Sequence, residues 1–204
     1  MARTFLATLA TPAVLHEQER YYGRSHPVTA TAPVDPLGAR EAEFIAARDS
    51  FYMASIGEAG WPYVQHRGGP VGFLRVVSPT TLAFADYGGN RQLLTAGNLT
   101  VDDRVSLFLM DYAHRRRLKI LGHARVADVR EHPELLEHLA VEDGAEVERV
   151  VTIDVVSFDW NCPQHITQRF TAAEVLSVVE PLQREVERLR RLIDRGVPPT
   201  AQDD

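Results

Sequence analysis

Residues 80–92 of the chain read TTLAFADYGGNRQ and join a short apolar strand to a polar turn. β-Branched and apolar residues predict the strand over Thr80–Ala85. Gly88–Gly89 permits positive φ, and we expect Asn90 to cap a helix over Asn90–Asn98. Free N–H groups at a helix N-terminus, together with the Arg91 guanidinium, suit a phosphate. The alternative is an ordinary strand–turn–helix corner with a solvated arginine.

The hydrophobic period changes from helical spacing to alternation at about residue 50. Short connections and the lack of repeated βαβ units favour an antiparallel barrel over a doubly wound sheet. The predicted fold class is therefore mainly β with flanking helices (α+β), with a helical N-terminal extension and a C-terminal helix. The predicted strands are Ser50–Ile56, Trp61–His66, Val71–Val77, Thr80–Ala85, Arg104–Tyr112, Arg116–Asp128 and Glu146–Phe158.

Helices are predicted before, within and after the strand series. The first two are Ala13–Gly23 and Asp35–Asp49, the second with Asp35 as N-cap and Pro36 in its first turn. Its predicted buried stripe is Ala42, Ile45 and Ala46. A further helix is expected over His132–Val141. The predicted division is a helical N-terminal extension at 1–49, a barrel domain at 50–170, a C-terminal helical segment at 171–196 and a frayed tail at 197–204.

The C-terminal segment opens with a capping-box pattern, Thr171 followed by Glu174. After it, apolar residues repeat at alternating spacings of four and three, with Pro181 expected to kink the helix or to start a second one. This seam packs either on the barrel or on a partner subunit. Its members are Val175, Val179, Leu182, Val186, Leu189 and Ile193.

Composition limits the class of protein. The chain has 204 residues and a formal net charge of -6, which argues against nucleic acid as its main partner. Cys162 is the only cysteine, so no intramolecular disulfide can form and a cytoplasmic location is expected. A lone cysteine is either a reactive thiol or a small buried apolar residue. The N-terminal apolar run is too short for a membrane span or a signal peptide.

Two predicted strands have unusual faces. Arg104–Tyr112 is apolar on both faces, which indicates that both are covered, one by the barrel core and the other by a further element, for which a partner subunit is a candidate. On Arg116–Asp128, the cations Arg117 and Lys119 follow Arg115 at alternate positions on one face. Such a face either belongs to a solvated edge strand or meets a phosphate or an electron-rich ring.

Four motifs occur together in one order between Trp61 and Arg125. They are Pro62–Arg67, Phe84–Gln92, Asp103–Leu107 and Arg116–Gly122. In this order they resemble the pyridoxamine 5'-phosphate oxidase-like family of FMN-binding split barrels, in particular a branch of uncharacterised bacterial relatives. The resemblance implies an antiparallel split β-barrel and a homodimer with FMN at the subunit interface.

The resemblance also implies a set of cofactor-binding residues. Gln92 stands where the family's phosphate motif has lysine, so Arg67 or a member of the run Arg115–Arg117 must replace the lost charge. The C-terminal signature of true pyridoxamine phosphate oxidases is absent from Asp159–Ile166, so vitamin B6 oxidation is not implied. The implied set is Gln65, His66, Arg67, Ala85, Asp86, Asn90, Arg91, Gln92, Arg117 and Lys119, with Gln164 and His165 as substrate-contact candidates.

The function implied is FMN-dependent oxidation or reduction of an unknown small molecule, with hydride transfer at flavin N5. Arg117 and Lys119 would then stabilise the charge on the reduced ring. Alternatives are a deazaflavin-dependent reductase on the same barrel, or a non-catalytic flavin- or haem-binding protein, with His66 or His165 as the haem ligand. His165 alone is also compatible with a structural or exposed role. No His, Cys or Asp spacing indicates a zinc or iron site.

Overall fold

The computed structural model describes residues 3–30, 32–89, 91–137, 139, 145–160 and 164–195. Its centre is a seven-stranded sheet in the order β2-β1-β5-β6-β7-β4-β3, in which every neighbouring pair is antiparallel. The antiparallel architecture predicted from the alternating pattern is confirmed, and so is the split barrel that the resemblance implies. The strands are β1 (Ser50–Ile56), β2 (Pro62–Gly68), β3 (Arg75–Ser78), β4 (Thr81–Tyr87), β5 (Arg104–Asp111), β6 (Arg116–Asp128) and β7 (Val147–Trp160).

Alternation of side chains places one face of the sheet in the core. On β5, Val105, Leu107 and Leu109 are buried, whereas Phe108 and Met110 on the other face are only partly covered. The same alternation on β1, β6 and β7, together with Leu82 and Phe84 of β4, completes a single hydrophobic cluster. Its largest fully buried side chains include Phe51, Phe73, Phe84, Leu107, Leu118, Ile120 and Ile153.

Five α-helices and one short 3-10 helix accompany the described strands. They are α1 (Arg3–Leu9), α2 (Pro12–Tyr22), α3 (Ala39–Ala46), α4 (Leu94–Leu99) and α5 (Ala172–Asp194), with the 3-10 turn at Pro133–Leu136. Helix α2 nearly matches its predicted range, because Thr11 caps its start and Gly23, at φ 65°, ends it. Helix α1 was not predicted. Among the described helices, none is both long and apolar enough to cross a membrane.

The predicted start of α3 is wrong. The helix begins after Gly38, whose N–H donates to Glu41 Oε2 at 3.0 Å, while Asp35 instead accepts a hydrogen bond from Thr4 Oγ1 at 2.7 Å. It ends at Ala46 rather than Asp49. Its buried face includes Phe44 and Ile45, and the predicted Ala46 is exposed.

Two further predictions need correction. β3 begins at Arg75 rather than Val71, because Gly72 turns the chain at φ 79° and sends Phe73 and Leu74 into the core from a loop. The predicted helix His132–Val141 is reduced to the single 3-10 turn at Pro133–Leu136, while residues 138 and 140–141 lie outside the described residues.

Candidate functional site

A cavity of about 240 Å³ lies where β2, at one edge of the sheet, approaches β4 near the other edge. The two strands are not sheet neighbours, so side chains rather than backbone hydrogen bonds join them. The described lining consists of Tyr63, Gln65, Arg67, Asp86, Tyr87, Gly89, Arg91, Gln92, Leu93, Leu94, Thr95, Ala96 and Arg149. Five predicted cofactor residues are thus brought together: Gln65, Arg67, Asp86, Arg91 and Gln92.

Asp86 lies between two arginines in this cavity. Arg67 Nη1 donates to Asp86 Oδ1 at 2.6 Å, and Arg149 Nε donates to Asp86 Oδ2 at 2.9 Å. Arg149 Nη1 also donates to Glu148 Oε2 at 2.7 Å. Burial lowers the pKa of Arg149, but its hydrogen bonds to the two carboxylates outweigh burial and raise that pKa above the ordinary value. The Arg149 guanidinium therefore remains charged.

Arg67 retains one buried donor without an acceptor. Its Nε atom is enclosed and makes no hydrogen bond to any residue that the structure describes, although the neighbouring Nη1 is bound to Asp86. A buried polar group left unpaired costs about 1–3 kcal/mol. An acceptor oxygen on a ligand would remove this cost, so the residues present fit a phosphate-bearing cofactor.

Gln65 is held from the side of α4. Thr95, which is buried, donates from Oγ1 to Gln65 Oε1 at 3.0 Å. This hydrogen bond joins β2 to the short helix and fixes the carboxamide at the cavity wall. A side chain held in this way can orient a polar ligand without paying much rotamer entropy on binding.

The turn that carries Arg91 differs from its prediction. Helix α4 begins at Leu94, not Asn90, because both Arg91 (φ 60°) and Leu93 (φ 54°) adopt left-handed backbone conformations before it. Leu93 occupies the N-cap position, where no side chain caps the helix, and Asn90 lies outside the described residues. Left-handed conformations in non-glycine residues cost roughly 1–2 kcal/mol each, and such residues cluster at functional sites.

His66 and Ala85 do not line the main cavity. His66 points to the opposite face of β2, where its ring lies 5.6 Å from the Tyr52 ring. The Ala85 side chain is buried in the core. Both residues border a smaller cavity of about 170 Å³, which shares Arg67 and Asp86 with the main one.

Arg117 and Lys119 lie on the outer face of β6 and line neither cavity. Lys119 Nζ is 2.8 Å from Asp159 Oδ2 and 4.6 Å from the centroid of the Phe5 ring. The Arg117 guanidinium lies over Phe108, 5.4 Å from the ring centroid. Within one chain, these two cations therefore belong to a separate surface.

The substrate-contact candidates are also separate from the cavity. Gln164 and His165 are exposed after β7, and His165 has a φ of 64°. Cys162 lies outside the described residues. Within the described parts of the chain, no group of three or more His, Cys, Asp or Glu side chains is placed to hold a metal ion.

The sequence profile described as Pyridoxamine 5'-phosphate oxidase matches residues 37–158. The chain belongs to this family. The matched range begins before α3 and ends within β7, so it contains the whole cavity lining described above. Helices α1, α2 and α5 lie outside it. No curated protein matches the sequence.

Solved structures of similar proteins come from several bacteria. One is a putative pyridoxamine 5'-phosphate oxidase from Lactobacillus delbrueckii, with 17% identity, coverage of 62% of this chain and 95% of that chain, and a TM-score of 0.47. A conserved hypothetical protein from Mycobacterium tuberculosis has 16% identity, 71% and 96% coverage, and a TM-score of 0.48. An FMN-binding protein from Syntrophomonas wolfei has 10% identity, 59% and 83% coverage, and a TM-score of 0.41.

Among the cavity residues that sequence reasoning did not name, two make side-chain hydrogen bonds to predicted site residues. Arg149 approaches Asp86 from a strand 63 residues further along the chain, and Thr95 lies 30 residues from Gln65. Neither Arg149 nor Thr95 belongs to the four motifs on which the family resemblance rests. Arg149 is recognised only from the pairing of β4 with β7, which places it opposite Asp86.

Proposed function

We propose that this chain is an FMN-dependent oxidoreductase that acts as a homodimer on a small molecule. The observation that carries the proposal is the Arg67 side chain. Its buried Nε donor lacks an acceptor among the described residues and lies beside a cavity lined by Arg91 and Arg149. In the described lining, three guanidinium groups accompany the Asp86 carboxylate, and Glu148 pairs with Arg149 from beside the lining, so the guanidinium groups outnumber the carboxylates by one. A flavin phosphate supplies both the missing acceptor and the balancing negative charge.

Membership of the pyridoxamine 5'-phosphate oxidase family supports the choice of a flavin. The family's second phosphate cation is replaced here by Gln92. Arg149 lines the same cavity and, although it pairs with Asp86 and Glu148, adds a further guanidinium group there, so we assign it the role of the missing lysine. The proposed phosphate site therefore uses Arg67, Arg91 and Arg149.

FMN, when bound, accepts or donates a hydride at its N5 atom. Arg67 and Arg91 hold the anionic end, and Gln65, fixed by Thr95, orients a polar group of the ligand. Asp86 keeps two guanidinium groups in place through the hydrogen bonds that both of them donate to it. No side-chain nucleophile is required for this reaction class.

The outer face of the sheet is proposed as the dimer surface. The strand register aligns His66, Tyr52, Phe108 and Lys119 in one row across β2, β1, β5 and β6. Tyr52 is exposed, and Phe108 and Met110 are only partly covered. A second chain on this face would bury these apolar groups and bring Arg117 and Lys119 towards the flavin of its partner.

Fluorescence titration of the purified protein with FMN and with coenzyme F420 tests the cofactor. The proposal predicts quenching of FMN fluorescence at stoichiometric protein, with weaker binding of the deazaflavin. Tighter binding of F420 would contradict the FMN assignment. Anaerobic reduction by NADH or NADPH, followed by reoxidation with candidate acceptors, then separates an enzyme from a carrier, since a carrier turns nothing over.

A further inference from the structure

Helix α5 is a long amphipathic helix without a covered face. It has 23 residues, which corresponds to about 34 Å, and none of them is buried. Thr171 and Glu174 cap its start reciprocally, through hydrogen bonds of 2.7 Å and 3.2 Å. Of the two alternatives expected at Pro181, a kink or the start of a second helix, the second does not occur, because the helix runs on through this residue. Isolated helices owe little stability to propensity alone, so this apolar stripe needs a partner.

The apolar stripe of α5 follows a heptad pattern that favours a particular number and orientation of helices. Val179, Val186 and Ile193 occupy the a positions, and Val175, Leu182 and Leu189 occupy the d positions. β-Branched residues at a with leucine at d favour a parallel, two-stranded coiled coil. Pro181 falls at a c position, which faces away from the seam.

The charges that flank the seam point to the same orientation. Glu185 occupies a g position and Arg190 the e position of the following heptad. In a parallel pair, these two residues of opposite charge lie across the interface from each other. Glu185 is held within its own helix by Arg188 at 2.7 Å, but that pair is exposed and contributes little.

We propose that α5 pairs with α5 of a second copy of this chain as a parallel, two-stranded coiled coil. The base of the helix is fixed to the barrel, because Gln168 Nε2 donates to Ala113 O at 2.7 Å and the Arg169 guanidinium lies 5.2 Å from the Tyr112 ring centroid. The coiled coil therefore starts beside the β5–β6 hairpin of each chain. It lies outside the family match and does not rest on the identity of the cofactor.

Disulfide trapping in the full-length protein tests this pairing. In a Cys162→Ser background, Leu189→Cys places a thiol at a d position, where two parallel helices bring it next to its counterpart. Arg184→Cys, at an f position on the outer side, is the matched control. We expect the Leu189→Cys variant to form a disulfide-linked dimer at least about tenfold faster than the control, because d positions face each other across the seam. Equal rates, or no dimer at position 189, would overturn the proposal.

Charge reversal provides a second test in the Leu189→Cys background. Glu185→Arg makes both interhelical pairs repulsive, which should lower the trapping rate roughly fivefold, and Arg190→Glu added to it should restore the rate. An unchanged rate after the single reversal would contradict the parallel register. Slow trapping in every variant would show instead that α5 packs on a barrel. The flavin content is a separate readout, so failure here leaves the cofactor proposal intact.

Discussion

Arg67 Nη1 donates to Asp86 Oδ1 at 2.6 Å, and this ion pair joins β2, at one edge of the sheet, to β4 near the other. No backbone ladder connects these two strands. The pair therefore helps to hold the two ends of the split barrel together, and it also forms a wall of the candidate cofactor cavity. We therefore expect stability and the proposed ligand binding to depend on the same side chains.

Asp86→Asn should lower the free energy of unfolding by roughly 2 kcal/mol, because two partly buried guanidinium groups lose their shared carboxylate. Asp154→Asn removes the exposed pair with Arg125 and should cost no more than about 1 kcal/mol. Urea unfolding of both variants measures the difference. Equal losses would mean that the ion pairs of Asp86 with Arg67 and Arg149 stabilise the fold no more than a surface pair does.

Arg91→Ala should weaken FMN binding about tenfold or more, since a charge-assisted hydrogen bond contributes roughly 1.5–3 kcal/mol. Arg91 is exposed and lies at the cavity. Arg75→Ala, at an exposed arginine of β3 outside the cavity lining, is the control and should leave the affinity unchanged. Equilibrium dialysis with FMN gives both values. Unchanged affinity in the Arg91 variant would remove Arg91 from the site.

Gly122→Ala should destabilise the fold by roughly 2 kcal/mol or more, because an added Cβ would lie 2.6 Å from Asp154 O and 2.7 Å from Ile153 Cγ2. Gly122 lies at the register shift between β6 and β7. Gly97→Ala meets nothing within 4 Å in α4 and should stabilise the protein slightly. Thermal unfolding compares them, and a tolerated Gly122→Ala would contradict the close approach of the strands.

Asp111 should contribute a pH-dependent part of the stability. Burial raises the pKa of this carboxyl, but hydrogen bonds from His114 and the nearby Arg48 guanidinium outweigh burial and hold the pKa below its ordinary value. A carboxyl with a lowered pKa in the folded state stabilises the fold above about pH 4, the ordinary value, and loses this effect as the pH falls through the folded value.

Asp111→Asn should therefore cost roughly 2 kcal/mol at pH 7, with a smaller difference from the wild type at pH 3. Urea unfolding at the two pH values tests this dependence. Asp159→Asn, which removes the Lys119 partner without touching Asp111, controls for the general loss of acidic groups. A difference that stays constant between the two pH values would contradict the assigned role of the Asp111 charge.

The sequence predicted those parts of the fold that depend on local alternation. The bounds of β1 and β6 are identical to the prediction, because their apolar residues keep a strict period of two. β3 was misplaced since Phe73 and Leu74 are buried from a loop, a pattern that alternation does not distinguish from a strand. Helix α1 was missed because tertiary contacts support it, including the hydrogen bond from Thr4 to Asp35.

In the candidate site, too, the residues in local motifs were predicted and those placed by long-range contacts were not. Gln65, Arg67, Asp86 and Arg91 were named because they belong to two short motifs, and they lie around one cavity. Arg149 was missed because its place beside Asp86 depends on the pairing of distant strands. Arg117 and Lys119 remain proposals for a site shared between two chains.

The most direct test of FMN binding is the absorption spectrum of the purified protein, followed by measurement of the flavin released on denaturation. The cavity at Arg67 and Asp86 predicts a yellow protein that releases FMN in stoichiometric amount with the chain. A colourless protein that also fails to bind added FMN would contradict the assignment of FMN to this cavity.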